Sequence, residues 1–278
     1  MSRHKDCVMF VLFTVKGRFP IIVFTYGRSI LGTMKTRLII SLFFLSAFCM
    51  ASASAFGRGE FGSGTRGNGN VTESERTVSA FTEIESNGSA DIRLHRSPVV
   101  RVVVVTDSNL QDMFDARTEN DTLKLEFKRG SGNVRPTKLV IDVWCPAIAA
   151  IGLSGSGNVE ALDAFSVRDL TLSCSGSGSF EGTFEATELT VLSSGSGRFE
   201  LEGSADSLDV SISGSGDFKS PRFSAKSARI KSAGSGSAEL SVSEYLKVTL
   251  SGSGSVRYSG RPKTDVSISG SGRMTSVD

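Results

Sequence analysis

The chain has 278 residues, 39% of them hydrophobic, with 30 glycines, 6 prolines and a formal charge of +2. That composition supports a sizeable apolar core and excludes a disordered or collagen-like chain. The positive balance is unevenly spread: residues 1–55 hold 7 of the 31 Lys and Arg but 1 of the 29 Asp and Glu, which leaves 24 basic against 28 acidic residues beyond them. The remainder is mildly acidic and lacks the basic footprint of a nucleic-acid binder.

Residues 34–55, MKTRLIISLFFLSAFCMASASA, carry the three parts of a secretory signal. Lys35 and Arg37 form the charged region, 38–48 the apolar region and Ala53-Ser54-Ala55 the cleavage site, so the mature chain is expected to start near Phe56. The apolar region is too short to span a bilayer. Cys49 follows Phe48 rather than a small residue, which argues against a lipid anchor. Residues 1–33 ahead of a complete signal read as an upstream extension from a start codon placed too early. Export puts the mature protein in the periplasm, on the outer surface or outside the cell, with no transmembrane segment of its own.

Residues 56–70 are rich in glycine and almost free of aliphatic side chains, which predicts a mobile lead-in, with structure beginning near Val71. From 71 to 150 the segments RTVSAFTEIES, ADIRLH, VVRVVVVTD, TLKLEFKR and TKLVIDVW have strand patterns without a strict repeat. They are expected to form longer, less regular coils that cap the single domain spanning 71–278.

Residues 151–278 are different. Gly-Ser-Gly recurs from Gly155, Gly176, Gly195, Gly214, Gly234, Gly252 and Gly270, at intervals of 21, 19, 19, 20, 18 and 18 residues. The second glycines are Gly157, Gly178, Gly197, Gly216, Gly236, Gly254 and Gly272. A flexible linker keeps no such period, whereas a solenoid does, because one unit cannot bury its apolar face alone. Four positions before each first glycine stand Ile151, Leu172, Val191, Val210, Ile230, Val248 and Val266; four after it stand Val159, Phe180, Phe199, Phe218, Ala238, Val256 and Met274. Polar residues alternate with them, so each unit reads as strand, tight turn, strand and a variable loop such as PRFSAKS. The turn serines are expected to hydrogen-bond turn amides and one another. A parallel β-helix and an antiparallel meander both accommodate this pattern; matching columns favour the β-helix, all-β and solenoidal, about 30 Å long at roughly 4.8 Å per coil. The chain stops within a coil, and that uncapped end is a candidate surface for a homo-oligomer.

The segments GNGNVTESERTVSAFTEIESNGSADIRL and VIDVWCPAIAAIGLSGSGNV, with the SGSG series after them, resemble the bacterial head GIN domain family of autotransporter adhesins over about 200 residues. The resemblance implies a right-handed parallel β-helix, pectin-lyase-like in shape but without that superfamily's catalytic residues, and a role in adhesion. No barrel or trimeric stalk follows Asp278, so self-export is not implied. Asp121-Thr122-Leu123 and Asp206-Ser207-Leu208 also resemble the O-glycosylation acceptor pattern of Bacteroidetes secreted proteins, which bears on this chain only if its source is of that kind.

Little in the mature chain can carry catalysis. His95 is its single histidine and reads as a strand-end residue near solvent. Serines without a base are only serines. Cys145 and Cys174 lack a second pair at zinc-finger spacing; in an oxidising compartment they could bond, although buried thiols in strands are the commoner state. Gly57 to Gly62 matches GxGxxG but has no strand before it, and one aspartate, Asp217, in its column makes no calcium ladder. No cofactor is expected. The column Glu160, Glu181 and Glu200 is the candidate ligand-binding feature, against a plain solvated face: like charges stacked at roughly 4.8 Å in water cost on the order of 1 kcal/mol per pair. The favoured reading is a non-catalytic envelope module that binds glycan or protein. The alternative, a carbohydrate-active β-helix lyase or hydrolase, needs clustered Asp, Arg or Lys on adjacent coils, where Ser and Thr prevail.

Overall fold

The computed structural model describes residues 64–277; the predicted signal at 34–55, the segment 1–33 and the first part of the lead-in lie outside the described residues. In chain order the strands are β1 (Val71–Arg76), β2 (Glu83–Gly88), β3 (Asp91–Arg96), β4 (Arg101–Asp107), β5 (Phe114–Glu119), β6 (Thr122–Phe127), β7 (Leu139–Cys145), β8 (Ala150–Gly155) and β9 (Asn158–Ala161). The longer β10 (Phe165–Gly176), β11 (Ser179–Gly195), β12 (Arg198–Gly214), β13 (Asp217–Gly234) and β14 (Ser237–Gly252) follow, then β15 (Ser255–Ser259), β16 (Lys263–Gly270) and β17 (Arg273–Ser276).

The repeats stack as a parallel β-solenoid. One wall runs β6, β2, β8, β10, the C-terminal halves of β11 to β14, and β16. A second runs β7, β3, β9, the N-terminal halves of β11 to β14, β15 and β17. The predicted columns are real contacts: Ile151, Leu172, Val191, Val210, Ile230 and Val248 are all fully buried, and Phe180 lies flat on Phe199 with ring centres 5.0 Å apart. One apolar cluster extends from Phe81 to Val256, and each Leu, Val or Phe in it contributes about 2 kcal/mol by leaving water.

The turns explain the glycines. Every first glycine has φ between +117° and +144°, and a Cβ on Gly195 would lie 2.5 Å from the carbonyl oxygen of Gly176 in the coil before. The second glycine is required by close approach alone; a Cβ on Gly197 would lie 2.7 Å from Cys174 Sγ. The turn serine acts through its backbone, not through the expected hydroxyl ladder: Ser196 N–H donates to Gly176 O (2.8 Å) and Ser215 N–H to Gly195 O (2.8 Å), while the side chains face solvent.

Three expectations need correction. In the central coils the stretches read as variable loops are strand: residues 184–186, 203–205 and 223–225 pair in register as a third wall, burying Phe184, Ala205, Phe223 and Ala225, whereas 162–164 and 260–262 are loops as expected. The lead-in is not free as far as Val71, because Gly67 N–H donates to Arg135 O (2.9 Å), Arg135 N–H to Thr65 O (2.9 Å) and Gly69 N–H to Asp107 Oδ1 (2.7 Å).

The third correction concerns 71–150, where the expected irregular coils include one of the common type. Gly88-Ser89-Ala90 joins β2 to β3 in the GSG position, with Gly88 in register with Gly155 and its carbonyl oxygen accepting from Ser156 N–H at 3.0 Å. The chain then leaves the stack order. β6 and β7 come later in sequence but pair outside β2 and β3, and β8 returns to the other side of β2. Antiparallel strands cover that end: β5 lies on β6, β4 on β7 and β1 on β4. The buried Asp107 pins this cap, accepting from Gly69 N–H, Thr137 N–H (2.7 Å) and Thr137 Oγ1 (2.6 Å). Gln111 closes the core's end, donating to Thr72 O (2.7 Å) and Val104 O (3.2 Å) and accepting from Arg76 (2.9 Å).

Candidate functional site

The second wall displays its outward residues in columns because parallel in-register stacking places equivalent positions above one another. Glu160 pairs in register with Glu181, and Glu181 with Glu200, so the three predicted residues form one exposed column. Arg93 stands in register below Glu160; Lys219 follows Glu200, each being one residue past the paired Phe199 and Phe218. Glu160 and Glu181 have no ion-pair partner among the described residues, whereas Glu200 has Arg198 at 3.7 Å. No group of three or more His, Cys, Asp or Glu among the described residues is placed to hold a metal ion. The column offers carboxylates to a basic or hydrogen-bond-donating partner.

A parallel column beside it is bonded to itself. Asn158 Nδ2 donates to Asp91 Oδ1 (2.8 Å), Ser179 Oγ to Asn158 Oδ1 (2.6 Å), and Ser237 Oγ to Asp217 Oδ1 (2.5 Å). These side chains stiffen the wall and are less available to a partner than the glutamates.

His95 lies near the end of β3 and is partly exposed, as expected from sequence, but its ring is engaged. Its Nε2 lies 3.0 Å from Asp142 Oδ1, and its ring stacks on Trp144 at 4.5 Å with planes 11° apart. Arg101 covers Trp144 at 4.9 Å, and its Nε donates to Glu75 Oε2 at 3.0 Å. Trp144 therefore has both faces occupied and presents an edge, not a stacking platform for a sugar ring. Sequence reading missed Asp142, Trp144 and Arg101 because the contacts depend on β7 and β4 folding back beside β3; alternation in VIDVW, which puts Asp142 and Trp144 on one face, was the available signal.

Cys145 and Cys174 are both buried and free, and burial pushes the Cys145 thiol up to about 11. Of the two acceptor-like serine and threonine sites, Thr122 is buried and donates to Glu83 Oε2 (3.1 Å), while Ser207 is exposed on β12. No helix among the described residues is long and apolar enough to cross a membrane.

Comparison with known proteins agrees with this architecture. The family model described as "Putative auto-transporter adhesin, head GIN domain" matches residues 80–262. Solved structures with the same fold include a putative adhesin of Bacteroides fragilis, at 20% identity and TM-score 0.73, covering 77% of this chain and 100% of that one. A putative lipid binding protein of Parabacteroides distasonis has 26% identity and TM-score 0.67, covering 78% and 100%. A putative adhesin of Parabacteroides merdae has 21% identity and TM-score 0.62, covering 77% and 99%. No curated protein matches the chain. The β-solenoid, its in-register GSG turns and the family match together place this chain in the head GIN domain family of auto-transporter adhesins.

Proposed function

We propose that this chain is a non-catalytic module, exported by residues 34–55 to the envelope or cell surface, that binds glycan or protein through the outer face of its second wall. The observation that carries the reading is the exposed in-register column Glu160, Glu181 and Glu200, the feature in which one charged side chain recurs coil after coil without an internal partner for its first two members. Repetition allows weak contacts to add at many equivalent points. Membership of an adhesin family supports a binding role. The side chains that most often carry acid-base or nucleophilic chemistry are otherwise engaged: His95 with Asp142 and Trp144, and both cysteines in the core.

The test begins with a glycan array probed with the purified chain from Phe56, then compares wild type with the E160Q/E181Q/E200Q variant on whatever surface retains it. The expected result is weaker attachment with an unchanged circular dichroism spectrum and melting curve. Retained attachment moves the site to another face. Polysaccharide cleavage by the purified chain, lost when one charged residue is replaced, overturns the non-catalytic reading.

A further inference from the structure

The two ends of the stack differ in how they present their edges. At the N-terminal end, Arg117 of β5 binds Asp115 (2.5 Å), Glu119 (2.9 Å) and Glu126 (2.9 Å), and Glu75 of β1 binds Arg101, so these edges carry charged, tied side chains that discourage pairing. At the other end, every residue of β16 is exposed and, among the described residues, it pairs only with β14. Val266 and Ile268 are 44% and 40% exposed, while the residues one coil inside, Val248 and Leu250, are 0% and 1%. An inner apolar row and a line of backbone donors and acceptors are left without a neighbour.

Charge is segregated along the same axis. Residues 158–216 contain ten acidic and two basic residues; residues 217–277 contain four acidic and ten basic. Because these coils stack in sequence order, that difference in sequence is a separation in space. Six of the ten cations are paired, Lys219, Arg222, Lys226, Arg229, Lys247 and Arg257 with Asp217, Glu202, Asp206, Asp209, Asp265 and Glu239. The other four, Lys231, Arg261, Lys263 and Arg273, have no ion pair among the described residues. Lys263 is on β16, Arg273 is on β17, and Arg261 lies just ahead of β16.

We propose that β16 is a strand-addition site that takes an extended segment of a partner protein in which acidic residues alternate with apolar ones. Alternation in a strand sends successive side chains to opposite faces, so the apolar set of such a segment would continue the Val266 and Ile268 row while its carboxylates meet Lys263 and Arg261. The added backbone would satisfy the free edge. A polysaccharide can answer the cations but cannot complete the apolar row or the ladder. A second copy joined through the same edge would set two coils that each carry Arg261, Lys263 and Arg273 without ion pairs against one another, which charge opposes. This surface is separate from the outer column of the second wall, and either can fail without the other.

The test is fluorescence anisotropy with a short labelled peptide, capped at both ends, in which glutamate alternates with valine, and with a matching lysine–valine peptide. The glutamate peptide should bind wild type, less tightly as salt rises, and the lysine peptide should not. R261E/K263E should weaken binding about tenfold or more, and V266E should weaken it comparably, with circular dichroism unchanged in both. Equal binding of the two peptides, or full binding by R261E/K263E, overturns the proposal. So does a self-associated wild type, seen by light scattering, that V266E dissociates and the glutamate peptide does not compete with: the occupant is then a second copy.

Discussion

In the stack from β10 to β15 the coils are joined by backbone hydrogen bonds and kept in register by size: first glycine on first glycine, Phe180 on Phe199, serine amide on glycine carbonyl. In the cap, individual polar side chains do the joining. Asp107 ties the lead-in and residue 137 to β4, Gln111 bridges β1 and β4, and Arg117 gathers three carboxylates across β5 and β6. The difference teaches that the repeat tolerates almost any outward residue but no added volume in its turns, whereas the cap rests on a few groups that have no equivalents elsewhere in the chain. Substitutions should therefore be read by where they fall, not by residue type.

The largest effect is expected inside the stack. Phe199 is fully buried and stacked on Phe180, so Phe199→Ala should cost about 3–5 kcal/mol in urea unfolding. The same kind of truncation at the open end, Ile268→Ala, removes a side chain that is already 40% exposed and should cost under about 1 kcal/mol. Similar losses at both positions would mean that the last coil is covered in solution.

The turns give the next contrast. Gly195→Ala introduces strain at φ +134° and a clash with the Gly176 carbonyl, so about 3 kcal/mol is expected. Gly88 has φ +128°, yet a Cβ there meets nothing within 4 Å, and Gly88→Ala should lose only the conformational part, about 1 kcal/mol. Equal urea midpoints for the two variants would show that coil-to-coil approach is not what selects glycine.

Acid should open the cap before the stack. The bond from the Thr137 hydroxyl, with amide bonds from Thr137 and Gly69, holds the Asp107 carboxyl below its ordinary value against the opposing effect of burial. A depressed folded value means that the ionised form is favoured by folding; its contribution is present above the unfolded value of about 4 and is lost as pH falls through the folded one. Cys145, on β7 beside β4, should then react with a thiol reagent suited to acid at a higher pH than Cys174 does. Simultaneous labelling would mean that cap and stack unfold as one unit. Asp107→Asn should bring Cys145 labelling forward at neutral pH.

The stack was legible because its geometry is written as a period: a residue's neighbour lies one repeat away, so a column in the alignment is a column in space. Where that relation fails, reading from sequence fails with it. The Gly88 turn escaped notice because Ala90 replaces the second glycine and Gly155 is 67 residues on, and because β6 and β7 reach their places out of chain order. Conversely, Gly130-Ser131-Gly132 has the triplet but lies in the link between β6 and β7, so register, not the motif, marks the turn. The third wall was hidden by corners of unequal length, since PRFSAKS does not line up by simple offset with the segments before it; register shifts occur at Phe199 to Gly203 and at Lys219 to Ser224. The Glu160, Glu181 and Glu200 column was found because it obeys the period. The switch from acidic to basic coils near residue 217 was equally present in the sequence and needed only a count by repeat.

The smallest effect has an unusual sign. Ser193 and Ser232 sit in the inward column with Cys174, Ile212 and Leu250, are 4% and 6% exposed, and their hydroxyls have no hydrogen-bond partner. Folding strips water from these oxygens and returns nothing, a penalty of about 1–3 kcal/mol for a buried unsatisfied group. Ser193→Ala removes the oxygen without adding volume beside Gly197 and Gly216, whose missing Cβ atoms leave room for this side chain and little more. The variant should be as stable as wild type or more so, by up to about 1 kcal/mol. Ser220 is the control, because its hydroxyl is also buried but accepts from Leu201 N–H (2.9 Å) and donates to Phe199 O (3.3 Å). Ser220→Ala leaves that amide unpaired and should cost about 1–2 kcal/mol. Opposite shifts in urea midpoint for one substitution at two buried serines would separate a side chain kept for its size from one kept for its bonds. A destabilised Ser193→Ala would show that water reaches the column and satisfies the hydroxyl there.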